Sequence, residues 1–368
     1  MKARELHSTL TSDGNIRLTI DDVDLGDTLG LDEVIVRIDA APVNPTDTYL
    51  VLSMADLSKA TKTDGAVVAP VPPGILKVFA GRIDKPLTVG SEGAGTVVAA
   101  GSGAAAQALV GKTVATNGGS FSTHRKVPVA SVRELPAGRT AEDGASSFVN
   151  PMTALSFIET MRAENHTAIV HTAAASNLGQ MLVKICAADG VPLVNIVRRP
   201  EQVTLLRELG AEHVLDSSSP TFATELVDAI AATKATLAFD AIGGGTMVGQ
   251  ILDAMERVAS RSMKTFSHYG SSTLKQVYVY GALDRSPTQV ARTFGLTWSI
   301  GGYLLTNALR KLGPEAMMRM TRRVMAELTT TFASHYTARI SLDQLLDIET
   351  LRKCAQTATG EKYLITSA

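Results

Sequence analysis

The sequence predicts an α/β protein of two domains, and three observations carry that prediction. Residues 168–216 read as one β–loop–α–β unit. From Asn150 onward, strand and helix patterns alternate. The first ~135 residues instead hold short β-branched runs punctuated by glycine.

The β–loop–α–β unit is the most informative stretch. Residues 168–171 are apolar, 172–179 form a loop of small residues, and Leu178, Met181, Leu182, Ile185 and Cys186 recur at helical spacing. A second apolar run, 191–197, ends in Arg198 and Arg199. Such a loop lets backbone N–H groups at a helix N-terminus approach a pyrophosphate. The second strand ends where the adenosine ribose of a dinucleotide lies. An acidic residue there holds ribose hydroxyls, whereas two arginines suit a 2′-phosphate. The residues therefore point to an NADPH site. Ordinary packing is the competing reading: no G-x-G-x-x-G is present, and Arg198–Arg199 also fit a solvated helix start with Pro200 at its first position.

Composition narrows the class. The chain has 368 residues, enough for two substantial cores, and its 45% hydrophobic and 19% charged residues are ordinary for a globular protein. A net charge of −1 gives no basic footprint for nucleic acid. Cys186 and Cys354 are the only cysteines, which excludes a disulfide framework and a cysteine-rich zinc lobe. The first fifteen or so residues lack the apolar core of a signal peptide, and no apolar stretch is long enough to span a bilayer, so a cytoplasmic location is expected.

Along the chain, residues 34–38, 96–99 and 112–115 read as short strands of a small barrel, with glycines at 90–95, 101–103 and 118–119 between them. Residues 52–84, with helical stretches and a Pro-rich centre, read as an insertion over the barrel mouth, either lid or decoration. A helix is expected over 151–161, then strands at 168–171, 193–197, 213–215, 236–240 and 276–280, with helices including 202–209 and 222–231 between most of them. That alternation predicts a parallel sheet with right-handed crossovers. Residues 243–245 read as a helix-starting loop at a strand's C-terminal end. Residues 296–305 are an edge strand for dimerisation or simply the last core strand. Helices at 314–328 and 341–358 and a strand at 363–366 close the chain. The long connection 260–275 receives no role.

At this point the residues resemble the medium-chain dehydrogenase/reductase superfamily. The resemblance rests on Pro42-Val43-Asn44-Pro45-Thr46-Asp47, similar to a VNPSD element, and on Gly90-Ser91-Glu92-Gly93-Ala94-Gly95, similar to PGxEGAG. It continues in Asn150-Pro151-Met152-Thr153-Ala154, similar to an NPxTA helix start, and in Leu209-Gly210-Ala211 and Phe239-Asp240. Within the superfamily the chain looks closest to zinc-free quinone oxidoreductases and enoyl thioester reductases; Val194-Asn195-Ile196-Val197-Arg198 resembles the NVVR of the latter. The resemblance implies a GroES-like β-barrel catalytic domain, expected over 1–148 and 313–368, and a Rossmann domain over 149–312. It also implies an active site between domains and a homodimer or larger oligomer. No metal is expected: the 44–47 turn holds no cysteine, and Ser91 stands where a histidine would precede Glu92. His171 reads as a packed core residue.

Without a metal, hydrogen-bond donors must stabilise the charge that builds on a carbonyl oxygen when hydride adds to a conjugated C=C or a quinone. Asn44, Thr153 and Tyr49 are the catalytic candidates, with Tyr49 a proton donor or only a wall residue. Asp47 reads equally as an Asx-type cap of its loop. On the cofactor side the resemblance marks Ala174, Ala175, Ser176, Asn177, Leu178 and Gly179 for the pyrophosphate and Arg198 and Arg199 for the 2′-phosphate. It marks Ile242, Tyr280 and Gly281 beside the cofactor. Residues 359–362 resemble a closing G-K-V turn, whose Lys362 reaches the cofactor or lies on the surface. The expected function is NADPH-dependent reduction of a quinone or an α,β-unsaturated carbonyl, acting on a small molecule rather than nucleic acid or membrane. A trans-2-enoyl thioester reductase is the alternative enzyme, and a non-catalytic NADPH-binding sensor the alternative of another class.

Overall fold

The computed structural model describes residues 1–356 and 362–367. The chain forms two compact units: Met1–Val149 with Met325–Ala368, and Asn150–Val324.

The first unit is built on antiparallel sheets. Lys2–Leu10 and Asn15–Asp24 pair along their whole length, because alternating apolar residues such as Leu6, Leu10, Ile16 and Leu18 bury one face. Ala66–Pro70 adds to Asn15–Asp24, and Thr61–Thr63 adds to Ala66–Pro70. The Pro-rich centre of segment 52–84 is thus partly a strand of this sheet. A larger sheet runs in the order Val132–Glu134, Thr113–Asn117, Glu92–Ala100, Glu33–Pro42, Tyr363–Thr366 and Ala338–Ile340, with His124–Pro128 also on Glu33–Pro42. The chain's last strand therefore returns beside Glu33–Pro42. Leu6, Leu18, Val36, Val97, Val114 and Phe121 share one core.

The second unit is an all-parallel sheet of six strands, ordered His213–Asp216, Leu193–Val197, Ile169–Thr172, Leu237–Asp240, Lys275–Val279 and Trp298–Gly302. Strand order reverses between Ile169–Thr172 and Leu237–Asp240, and open α/β sheets bind ligands at the carboxyl edge of such a switch point. Val170, Ile196, Ile230, Val248 and Ile251 form the core on one side. Helix Val149–Ala163 is held by a stack of Phe157 on Phe239, with ring centroids 3.8 Å apart, and by the Tyr303 hydroxyl on Ser156 and Thr160, both at 2.9 Å.

Several expectations are corrected. Gly243–Gly245 is not a helix-starting loop but a short strand on Asp284–Thr288; the helix begins at Met247. The helix expected over 314–328 is the second half of Leu305–Ala326, broken at Gly313 (φ 85°), because Pro314 cannot donate to the preceding turn. Its residues Arg319 and Arg323 pair with Glu159 and Asp189, and the second compact unit extends to Val324. The region 341–358 divides into a short 3₁₀ turn, Leu342–Leu346, and the helix Ile348–Ala355; residues 357 and 358 lie outside the described residues. Connection 260–275 acquires a role: Ser260, Ser271 and Lys275 all bond to Glu256, at 2.5 Å for the Lys275 ammonium. The clamp closes the loop back onto helix Met247–Arg261. Among the described residues no helix is long and apolar enough to cross a membrane.

Candidate active site

In the second unit, the loop after Ile169–Thr172 turns at Ala173 (φ 50°), a left-handed conformation that favours glycine. Ala174 and Ala175 bury their methyl groups. Ser176 caps helix Asn177–Asp189, its hydroxyl accepting from the Gly179 N–H at 3.1 Å. A Cβ at Gly179 would stand 2.1 Å from the Ala174 carbonyl oxygen, so only glycine lets the helix meet the loop this closely. No acidic residue occupies that helix's first turn, which leaves its positive end for an anion. Leu178 is buried behind it. Leu193–Val197 is followed by Arg198 and Arg199, and among the described residues the ion partner of Arg199 is Glu201, at 3.9 Å. The Arg198 N–H donates to the Gln202 side chain at 3.1 Å.

The next turn along this edge is fixed by Asp240. It accepts from the Thr172 hydroxyl at 2.6 Å, from Ile242 N–H at 3.1 Å and from Gly243 N–H at 2.8 Å, while Ala241 N–H donates to Thr172 at 2.8 Å. Gly281 lies against it; a Cβ there would come within 2.5 Å of the Ala241 carbonyl oxygen. The Tyr280 hydroxyl meets His171 Nε2 at 2.8 Å. Burial pushes the His171 imidazole down to about 3, so the ring is neutral. The structure thus gathers Ile242, Tyr280 and Gly281 on the sheet edge that carries Ala174–Gly179. Thr153 is buried in helix Val149–Ala163.

In the first unit, Asn44 precedes helix Pro45–Leu52, with Pro45 at its first position. The expected cap by Asp47 is present: its Oδ2 accepts from Asn44 N–H at 2.9 Å. Sequence gives no sign of the rest. Asp47 Oδ1 also accepts from the Ser91 N–H and hydroxyl, at 2.7 and 2.6 Å. Glu92 accepts from Asn44 Nδ2 at 2.9 Å and from the N–H groups of Phe148 and Val149 at 2.8 and 2.9 Å. Both carboxylates are buried. Burial pushes the Asp47 carboxyl up to about 6, held back by the Ser91 and Asn44 bonds and raised a little further by Glu92. Among the described residues, the buried Asn44 Oδ1 has no hydrogen-bond partner, an acceptor available to a ligand's N–H or O–H.

Lys362 is buried, not on the surface; its ammonium donates to the Ser146 hydroxyl at 2.7 Å. Burial brings it down to about 8, opposed by the charges of Glu92 and Asp47. Residues 359–361 of the closing turn lie outside the described residues. Tyr49 joins none of this: its ring is 44% exposed and packs edge-on against Phe79. Among the described residues, no three His, Cys, Asp or Glu side chains cluster to hold a metal ion.

A family model described as "Alcohol dehydrogenase GroES-like domain" matches residues 30–137, and one described as "Zinc-binding dehydrogenase" matches 178–261. The mitochondrial enoyl-[acyl-carrier-protein] reductase of Bos taurus is 30% identical over 161 residues, 40% of this chain and 43% of that one. A quinone oxidoreductase of Pseudomonas aeruginosa is 28% identical over 165 residues, 44% of this chain and 50% of that one. The chain therefore spans about half the length of these curated relatives. Among solved structures, a protein assigned as an NADPH:quinone reductase from Mesorhizobium loti superposes with TM-score 0.72 at 22% identity, covering 100% of this chain and 98% of that one. A mutant enoyl thioester reductase from Candida tropicalis gives TM-score 0.70 at 20% identity, covering 100% of both chains. The named relatives are oxidoreductases. The ordered motifs and both matching models place the chain: it belongs to the medium-chain dehydrogenase/reductase superfamily.

Proposed function

We propose that the protein is an NADPH-dependent oxidoreductase that transfers hydride to a quinone or to the C=C of an α,β-unsaturated carbonyl, without a metal. One observation carries the reading. A Ser176-capped helix with no acid in its first turn adjoins a strand that ends in two exposed arginines and no carboxylate. The pyrophosphate would lie on residues 174–179 and the 2′-phosphate on Arg198 and Arg199, with Ile242, Tyr280 and Gly281 beside the rest of the cofactor. Bound there, NADPH supplies the hydride. The chain's own part is to orient and to manage charge. Asn44, Thr153 and Tyr49 remain the proposed polar contacts around the reacting groups. The unpartnered Oδ1 makes Asn44 an acceptor for a ligand hydroxyl or amide more readily than a donor, since its Nδ2 is engaged by Glu92. Lys362 is proposed as a cofactor-binding residue.

The second reading, a trans-2-enoyl thioester reductase, is favoured by the enoyl-[acyl-carrier-protein] reductases among the relatives. A cytoplasmic homodimer is proposed with either, since Trp298–Gly302 lies at the open edge of its sheet with Leu296 and Leu304 exposed beside it. Sedimentation of a single monomeric species would remove the dimer.

The test is binding of NADPH and NADH to purified protein, then oxidation of the preferred cofactor against a 1,4-quinone, a simple enone and a 2-enoyl-CoA. NADPH-selective binding with turnover is expected, and dependence on acyl chain length separates the two enzymes. Tight binding with no turnover would favour the sensor. No binding of either nucleotide would overturn the reading.

A further inference from the structure

The first unit carries a second polar site, away from Asn44, whose charged groups are left incompletely matched. Glu5 on strand Lys2–Leu10, Thr88, the turn at Gly118 and Gly119, and Arg125 and Lys126 on strand His124–Pro128 line a recess of about 360 Å³. That volume lies in the range of small-molecule sites, roughly 300–1,000 Å³. Lys126 is satisfied within the protein: its ammonium donates to the Thr28 carbonyl at 2.9 Å and stands 3.5 Å from Glu33. Arg125 is not. Its side chain is half-buried, and its Nη1 is enclosed with no hydrogen-bond partner among the described residues. The guanidinium lies flat against Gly119, where a Cβ would stand 1.8 Å from that nitrogen. The turn is itself fixed, with Gly119 at φ 62° and its carbonyl accepting from the Ser122 hydroxyl at 3.0 Å. A side chain at 119 would displace the guanidinium, so this glycine keeps the cation at the recess wall.

Enclosing part of a cation costs free energy that a partner must offset. The acid at hand is Glu5, and it does not close on Arg125. Burial lowers the proton affinity of the guanidinium and the Glu5 charge raises it, yet the two form no ion pair among the described residues. Glu5 is buried and has His7 beside it, 3.5 Å away, while His7 also meets Asp21 at 2.8 Å. With Lys126 matched by Glu33, the recess offers one guanidinium and one carboxylate that do not neutralise each other directly.

We propose that this recess binds a small molecule that carries an oxyanion, a carboxylate or a phosphate, on Arg125 and an ammonium or hydroxyl donor on Glu5. The proposal stands on the first unit alone and is independent of the reductase reading. A planar guanidinium meets two oxygens of a carboxylate or phosphate at once, which an ammonium does not. A ligand with both groups leaves neither protein charge unmatched. The site also touches the Asn44 cluster from behind: the Gly118 N–H donates to the Ser91 carbonyl at 2.8 Å, and Ser91 holds Asp47.

The test is an NMR titration of the full chain, following the Arg125 side-chain N–H and the amides of Gly118 and Gly119. Acetate and inorganic phosphate serve as bare oxyanions, and β-alanine and phosphoethanolamine as oxyanions that carry an ammonium. Saturable shifts are expected, with an ammonium-bearing probe binding about 10-fold more tightly than its bare counterpart. Whichever of β-alanine and phosphoethanolamine binds more tightly identifies the oxyanion as carboxylate or phosphate. Arg125→Gln should weaken that probe by about 10-fold or more, and Arg125→Lys, which keeps the charge and loses the fork, by less. Glu5→Gln should erase the advantage of the ammonium. Amide spectra unchanged outside the recess show that each variant is folded, and Arg125→Lys carries the test if Arg125→Gln is not. Shifts that fail to saturate with all four probes, or Arg125 variants that bind like the unmodified protein, would overturn the site. Bare oxyanions that bind as tightly as the others would overturn the part given to Glu5.

Discussion

The two units bury charge in opposite ways. In the second, Glu256 and Lys275 meet at 2.5 Å, 7% and 0% exposed, and Ser260 and Ser271 take up the remaining carboxylate capacity. Burial alone would raise the Glu256 carboxyl, but the bonds from Lys275 and Ser271 outweigh it and bring it down to about 2. That site is closed: each charge has its partner, and its work is to staple a long connection to a helix. In the first unit, Asp47 and Glu92 are held by backbone N–H groups, a hydroxyl and an amide, and the nearest buried ammonium is placed on a serine instead. That site is open: proton affinities there lie near neutrality, and an acceptor is left without a partner. A buried pair is structural when it is complete and chemically available when it is not.

The sharpest way to break this contrast is Lys275→Met, which strands a buried carboxylate. It should cost about 3–5 kcal/mol of stability in urea unfolding, and adding Glu256→Leu should restore much of it. A loss below about 1 kcal/mol would mean that the pair is solvated and the contrast is false.

Next in size are the open charges of the proposed cofactor edge. Replacing Arg198 and Arg199 with alanine should weaken NADPH by about 10- to 100-fold and NADH far less, measured by fluorescence titration. Equal loss of both cofactors would show that these side chains do not read a 2′-phosphate.

His171 tests burial without any charge. Its folded value of about 3 lies below the ordinary 6.5, so the unfolded chain takes up a proton that the folded chain refuses. Stability is therefore full above about pH 6.5 and falls as pH drops toward 3, by up to about 1.4 kcal/mol per unit. His171→Gln should flatten that slope in unfolding curves at several pH values; an unchanged slope would remove His171 from the account.

The smallest effect is expected from Glu92→Gln. The unpartnered Asn44 Oδ1 can turn to accept from the new amide, so the loss should be about 1 kcal/mol, well under that of Lys275→Met. A loss as large as that of Lys275→Met would show that the first unit's cluster is as tightly locked as the second's.

Local signals made much of the second unit legible. Strand and helix periodicity, the small-residue loop and the arginines at a strand end are contiguous in the chain, and backbone geometry turns them into a capped helix start at the carboxyl edge of the sheet with little help from elsewhere. The five strands expected between 168 and 280 are found within a residue of their expected places, whereas Gly243–Gly245 and Asp284–Thr288 were not expected as strands; the cap, one of two readings of Asp47, is present. Arg319 and Arg323 find partners on helices far away in the chain, a choice that periodicity does not express.

The sequence by itself determined the fold class and the family, since each is written in short-range patterns of size, polarity and turn chemistry. Only the tertiary structure decided that Glu92 joins Asn44 to the segment at 148–149, that Glu256 clamps 260–275, and that Lys362 and Tyr336 converge on Ser146. These contacts join residues far apart in the chain. They exist because a polar group taken out of water must find a partner wherever the packed strands and helices happen to bring one.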